Sequence, residues 1–176
     1  MAGEKRVDAS LIIGAEETHW ILADALWHLE REAVFTGGAG ALCLSCDPQL
    51  SVGVQLAAIT DPHTYSARLP RGRAARAMRD QLDGSNSDLL CDGLGGGPRA
   101  NAPEAAAWAD WTGPRLSLKR TLGEGLMAAA AWQCVAACDA VAGGRFAAAN
   151  VSLVGGSQQA IGARFVAANR MPAATT

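Results

Sequence analysis

The chain has 176 residues, is 49% hydrophobic and 18% charged, and carries a net charge of −2. That length fits one domain with a sizeable core, and the composition excludes a disordered chain. Near-neutral charge gives no global footprint for nucleic acid, and no apolar run reaches the roughly 20 residues of a membrane span. The opening MAGEKRVDAS is polar and has no apolar signal region, so a cytoplasmic protein is the expectation.

In chain order, residues 7–14 (VDASLIIG) read as a short strand ending in glycine. Residues 16–31 read as a helix: Ile21, Leu22, Ala25, Leu26 and Leu29 share one face, and Glu16 and Glu17 suit its first turn. Residues 35–44 (FTGGAGALCL) are a glycine-rich entry into an apolar strand, Asp47-Pro48 marks a turn, and residues 52–60 (VGVQLAAIT) form the next strand. Pro70 starts a helix to about Leu82, with Ala74, Met78 and Leu82 inward, and Asp83-Gly84 ends it. Leu89 to Cys91 is the core of a further strand. Pro103 opens a short helix through Trp108 and Trp111, and Gly113-Pro114 breaks it. Residues 115–119 (RLSLK) read as a strand, and residues 122–141 as a long, buried, alanine-rich helix. Residues 149–154 and 160–168 are two strands joined too tightly for a crossover, hence antiparallel. The tail MPAATT is expected to fray. This alternation gives an α/β sheet covered by helices.

Two segments are rich in glycine. Gly37-Gly-Ala-Gly40 leads into a strand, so a dinucleotide fingerprint fails on context. In DLLCDGLGGGPR, residues 88–99, no Lys-Ser/Thr pair follows the glycines, so a phosphate-binding loop of the Walker type fails as well. The plain reading is a tight turn with close backbone approach. The pairs Cys43/Cys46 and Cys134/Cys138 have metal-like spacing, but they read as strand end and helix interior, so neither a metal nor a cofactor is expected. Cys43, Cys91, Cys134 and Cys138 lie in apolar runs and read as small hydrophobes. His19 and His28 read as polar-side residues of the first helix and His63 as a turn residue, each solvated or capping. The five tryptophans, Trp20, Trp27, Trp108, Trp111 and Trp132, read as core or interface anchors.

Four landmarks in order resemble the C-terminal half of a β-ketoacyl-acyl-carrier-protein synthase of the thiolase-fold superfamily. IIGAEE followed by VFTGGAGALCL resembles its GGAE strand and GEGAG strand. DLLCDGLGGGP resembles DLVNAHGTGTP, LSLKRTLGEGLMAAAAW resembles STKGALGHTLGAAGA, and VSLVGGSQQA resembles NSFGFGGQNA. The resemblance implies a mixed five-stranded sheet flanked by helices: one complete half plus the last two strands of the other. It divides the chain into a remnant of the first half at 1–46, a second half at 47–170 and a tail at 171–176. In that family a cysteine takes up the acyl chain and two histidines assist decarboxylation and stabilise an oxyanion. None of the five cysteines matches the nucleophile position. Gly93 and Glu124 stand at the histidine positions, Lys119 matches the lysine between them, Gly155 stands at the gating phenylalanine and Gly37 at the acidic residue of the GEGAG segment.

The resemblance therefore implies a synthase-like protein of fatty-acid or polyketide-type assembly that is inactive alone and shapes chain length or supports a synthase partner. Other readings are a truncated synthase, half of a split condensing enzyme in which Lys119, Asp92 and Glu124 complete an altered site, and an unrelated α/β binding module. The missing strands imply a partner: a synthase subunit or the earlier synthase half. Arg68, Arg71, Arg73, Arg76 and Arg79 form a basic row suited to an acidic acyl carrier protein, or simply a solvated helix face.

Overall fold

The computed structural model describes residues 8–28, 31–47, 53–95, 98–155 and 158–168. The strand β1 (Ala9–Glu16) leads through the helix α1 (Trp20–Trp27) to β2 (Gly38–Ser45). β1 and β2 pair antiparallel over their full length, Ala9 opposite Ser45 and Glu16 opposite Gly38, and form a sheet of their own.

The second sheet contains β3 (Val54–Ile59), β4 (His63–Thr64), β5 (Leu89–Cys91), β6 (Arg115–Leu116), β7 (Ala148–Val154) and β8 (Gln159–Ala167). Its order is β3-β8-β7-β5-β6, with β4 also paired to β8. β6, β5 and β7 are mutually parallel, and β8 runs antiparallel to β7, β3 and β4. The mixed five-stranded path expected from the sequence is present, with the two-residue β4 added at its side.

The remaining helices are α2 (Arg71–Arg79), α3 (Pro98–Ala107), α4 (Lys119–Leu122) and α5 (Met127–Ala142). Side-chain alternation along the strands sorts the core into two faces. Leu89, Cys91, Ala149, Val151 and Phe165 pack on Ala137, Ala140 and Val141 of α5. Leu90, Val154 and Ala160 pack the other way, with Ala74, Ala75 and Met78 of α2 and with Trp108 and Trp111. The inward face expected for α2 is therefore the one observed: Ala74 and Met78 are buried and Leu82 packs beside them.

The opposite side of α5 carries the two-stranded sheet. The approach is close because the facing residues are small. A Cβ on Gly14 would lie 2.6 Å from the Met127 carbonyl oxygen, and one on Gly40 would lie 2.9 Å from the Ala131 Cβ. Trp132 Nε1 donates to the Ala39 carbonyl at 3.1 Å and clasps the hairpin to the helix. Toward the large sheet, the buried Gln133 donates through Nε2 to the carbonyls of Cys91 (3.3 Å) and Ser152 (3.0 Å), tying the ends of β5 and β7 to α5.

Several sequence expectations need correction. The helix expected over 16–31 contracts to Trp20–Trp27: Glu16 belongs to β1, no acid sits in the first turn, and no α1 residue is buried. The strand expected over 115–119 stops at Leu116, and Lys119 opens α4. The helix expected over 122–141 is broken between α4 and α5. Gly123 adopts φ +87° against the Val34 carbonyl, and Glu124 bridges in β fashion to Phe35. Pro103 lies inside α3 instead of opening it. Cys43 is exposed, as is Cys46. The tail lies outside the described residues.

Because the two layers meet through glycine, Gly14→Val should lower stability by about 1–3 kcal/mol, the usual cost of overpacking. Thermal unfolding followed by circular dichroism should show a midpoint several degrees lower, with an unchanged far-ultraviolet spectrum at 20 °C.

Candidate functional site

The parallel strand β5 ends at Cys91 beside Val151 of β7, and the chain leaving β5 carries the chemistry. In open α/β sheets, ligands are received in the crevice beyond the carboxyl ends of such strands. Asp92 follows β5 and is fully buried. Its Oδ1 accepts from the Leu94 amide (3.2 Å) and from Ser117 Oγ (2.5 Å), and its Oδ2 pairs with Arg115 at 3.4 Å. Arg115 also donates to the Trp108 carbonyl. Asp92 therefore acts as a clamp that fixes the glycine turn to β6.

Gly93 presents its amide to Glu104 Oε1 at 3.0 Å. Glu104 comes from α3, is 2% exposed, and also accepts from Ser152 Oγ at 2.5 Å. Trp108 Nε1 donates to the same Ser152 hydroxyl at 3.1 Å. Burial pushes the Glu104 carboxyl up to about 7, while the bonds from Ser152 and Gly93 and the charge of Lys119 pull the other way. A carboxyl in that range holds or releases a proton near neutrality, as general acid–base chemistry requires.

Lys119 and Glu124 form the second part of the site. Lys119 Nζ lies 2.6 Å from Glu124 Oε2, and both side chains are largely buried. Glu124 Oε1 accepts from the Leu126 amide at 2.9 Å. Leu126 sits at φ +47°, ψ −111°, a conformation that suits glycine and costs a leucine about 1–3 kcal/mol. The Glu124 carboxylate thus holds a strained residue at the head of α5 while neutralising Lys119.

The fold joins Asp92 to Ser117 and Arg115, Gly93 to Glu104, and Lys119 to Glu124, and the charge of Lys119 reaches Glu104. It adds Glu104, Ser117 and Ser152, which sequence reading missed. The available signal for Glu104 was a single acid in the alanine-rich run PEAAAW, one turn before Trp108. The other singled-out residues lie elsewhere. His19 caps α1, its Nδ1 accepting from the Ile21 amide at 3.3 Å. His28 is the C-cap residue of α1. His63 lies in β4 opposite Ala160, with a buried Nε2 that meets no partner among the described residues. The Gly155 carbonyl accepts from the Tyr65 hydroxyl, and a Cβ on Gly37 would come within 3.1 Å of the Glu16 carbonyl oxygen.

Burial raises the thiol of Cys91 to about 12 and those of Cys134 and Cys138 to about 11, so these three stay protonated and weakly nucleophilic at neutral pH. In the arginine row, Arg79 pairs with Asp110 at 2.6 Å and lies over the Trp108 ring. Arg71 lies over Tyr65, and Arg68, Arg73 and Arg76 are exposed.

No family model matches the sequence, and no curated protein matches it. Solved structures do match. One is a type II polyketide synthase acyl carrier protein in complex with its ketosynthase (TM-score 0.71, 11% identity, covering 92% of this chain and 51% of that one). A second is the ishigamide ketosynthase/chain length factor (0.69, 15%, 93% and 55%). A third is a β-ketoacyl synthase from Burkholderia phymatum (0.72, 15%, 94% and 56%). The fold is the thiolase-like fold of the ketosynthases. The chain spans about half the length of these three structures. An α/β module of a different fold is thereby set aside.

Two outcomes test the site's electrostatics and strain. The folded state holds the Glu104 proton more tightly than the unfolded chain, so this group favours folding least once ionised. Its contribution falls as pH rises from about 4.5 to about 7 and is level above that. Glu104→Gln removes this slope. Its stability relative to wild type should climb by about 3 kcal/mol between pH 4.5 and pH 8 in urea unfolding; parallel pH profiles would refute the buried ionisable carboxyl. At position 126, Leu126→Gly should be more stable than Leu126→Ala by about 1 kcal/mol, the reverse of the usual order, because only glycine adopts φ > 0 without strain.

Proposed function

We propose that the chain is a β-ketoacyl synthase-like protein of fatty-acid or polyketide-type biosynthesis that does not itself carry out condensation. It serves as a non-catalytic or chain-length-shaping subunit beside a synthase partner, or as a truncated synthase. Residues 1–46 are the remnant of the first half of the fold, residues 47–170 the second half, and residues 171–176 a tail.

The observation that carries this reading is the place of Glu104. A Cβ at Gly93 would lie 2.8 Å from Glu104 Oε2, so the carboxyl stands where a side chain at 93 would begin. By the resemblance that side chain is a histidine of the active site, and the second histidine position holds Glu124. Carboxylates at both places oppose a developing oxyanion instead of stabilising it. None of the five cysteines matches the family's nucleophile, and Lys119, the one matching site residue, is already neutralised by Glu124.

A second reading rests on the Glu104 carboxyl near 7: half of a split condensing enzyme whose partner supplies the cysteine, with Lys119, Glu124 and Asp92 completing the site. On either reading a synthase partner covers the open side of the hairpin. An acyl carrier protein is the fitting partner for the exposed Arg68, Arg73 and Arg76, with Arg71 and Arg79 beside them held on ring faces.

The test uses a type II ketosynthase co-expressed with this chain, a malonyl-loaded carrier protein, and mass-spectrometric detection of decarboxylation and product length. The chain alone should show no decarboxylation above background, and Gly93→His should not restore it, because Glu104 fills the space. In a co-purified complex, Lys119→Ala and Glu124→Ala should leave the condensation rate unchanged. A rate lowered tenfold or more would favour the split-enzyme reading, since general acid–base groups contribute about 10²–10⁴-fold. Decarboxylation by the chain alone contradicts both readings.

A further inference from the structure

The short helix α1 is the element that its own chain covers least. It reads WILADALW, yet none of its residues is buried, and Trp20, Ile21 and Trp27 are 73%, 56% and 52% exposed. Leu22, Ala23 and Leu26 are half-buried and form its inner side. Trp20, Asp24 and Trp27 stand at i, i+4 and i+7, so all three share the outward face. Scattered exposed apolar residues are ordinary, but two tryptophans on one face have the composition of an interface anchor.

Charge decides what fits that face. Residues 16–32 carry five acids, Glu16, Glu17, Asp24, Glu30 and Glu32, against one strong base, Arg31, in a chain whose net charge is only −2. Of the described ones, Glu17, Asp24 and Glu32 are exposed. A second copy of α1, an acidic protein and an anionic membrane surface would each meet like charge here, whereas a basic segment meets opposite charge. The spacing also suits cationic side chains. At 1.5 Å of rise per residue, Asp24 lies about 6 Å along the helix axis from Trp20 and about 4.5 Å from Trp27. An ammonium or guanidinium group seated on the Asp24 carboxylate therefore has an indole on either side, at about the 6 Å range of cation–π attraction. The chain uses the same pairing internally, with Arg79 over Trp108 and Arg71 over Tyr65.

We propose that the outward face of α1 docks a basic segment of a partner protein. Trp20 and Trp27 cover the apolar stems of its side chains, and Asp24 pairs with an arginine or lysine held between the indoles. This does not depend on the synthase-subunit reading. It also sets α1 apart from the arginine row of α2, which suits an acidic partner.

The probe is a short peptide of Arg-Leu-Gly repeats, titrated into the isotope-labelled full chain while the indole N–H signals are followed by NMR. A twin with citrulline for arginine keeps the shape without the charge, and a twin with glutamate reverses the charge. The arginine peptide should shift the Trp20 and Trp27 signals and leave those of the buried Trp108 and Trp111 in place. The citrulline peptide should bind about tenfold more weakly, and the glutamate peptide should not bind. Asp24→Lys should weaken binding of the arginine peptide about tenfold, and Trp20→Leu or Trp27→Leu about threefold each. Far-ultraviolet spectra should stay unchanged, because all three side chains are exposed. No shift of the two signals with the arginine peptide at about 1 mM, or equal binding of the citrulline peptide, overturns the proposal. So does binding that survives Asp24→Lys, which would place the peptide on other acids. Movement of the Trp20 and Trp27 signals with protein concentration alone overturns it as well, since a second copy would then occupy the face.

Discussion

The alanine-rich helix α5 is the layer on which both sheets rest. Ala137, Ala140 and Val141 meet the large sheet, and Ala131 and the Met127 backbone meet the glycines of the hairpin. Larger side chains on either side would separate the layers. Gln133 converts this packing into position, because its amide holds the carbonyls of Cys91 and Ser152 together. Asp92 and Gly93, which follow the end of β5, and Ser152, within β7, are thereby placed around Glu104.

That placement explains the character of the site. Its charged groups are paired among the described residues: Asp92 with Ser117 and Arg115, Glu104 with Gly93 and Ser152, and Lys119 with Glu124. The Gly93 turn is closed by the Glu104 carboxyl, and the Glu124 carboxylate is tied to Lys119. The strained Leu126 is tied at the head of α5 by its amide bond to Glu124, which in turn pairs with Lys119.

The parts of this arrangement legible in the sequence are those set by local pattern. Strand β5 and the inward face of α2 follow from short-range periodicity, and the tight antiparallel pair β7–β8 follows from its brief connection. What was not legible depends on distant partners. The helix expected from Leu122 onward breaks because Glu124 pairs with Phe35, far away in the chain. The face of α1 looked like a core stripe, but a periodic apolar face does not reveal whether its own chain covers it. Glu104 stands alone in the run PEAAAW, and only the approach of Ser152 and Gly93 makes it a buried carboxyl. The family resemblance rested on order and spacing of backbone landmarks, which is why the fold was more legible than the chemistry.

The central claim is that α5 is a shared middle layer and not a surface helix. Hydrogen–deuterium exchange of the intact chain tests it directly. The amides from Ala129 to Val141 should exchange as slowly as those of β7 and markedly more slowly than those of α1 and of the hairpin edges. Exchange along α5 as fast as in α1 would contradict the layered arrangement and the positioning of the site that follows from it.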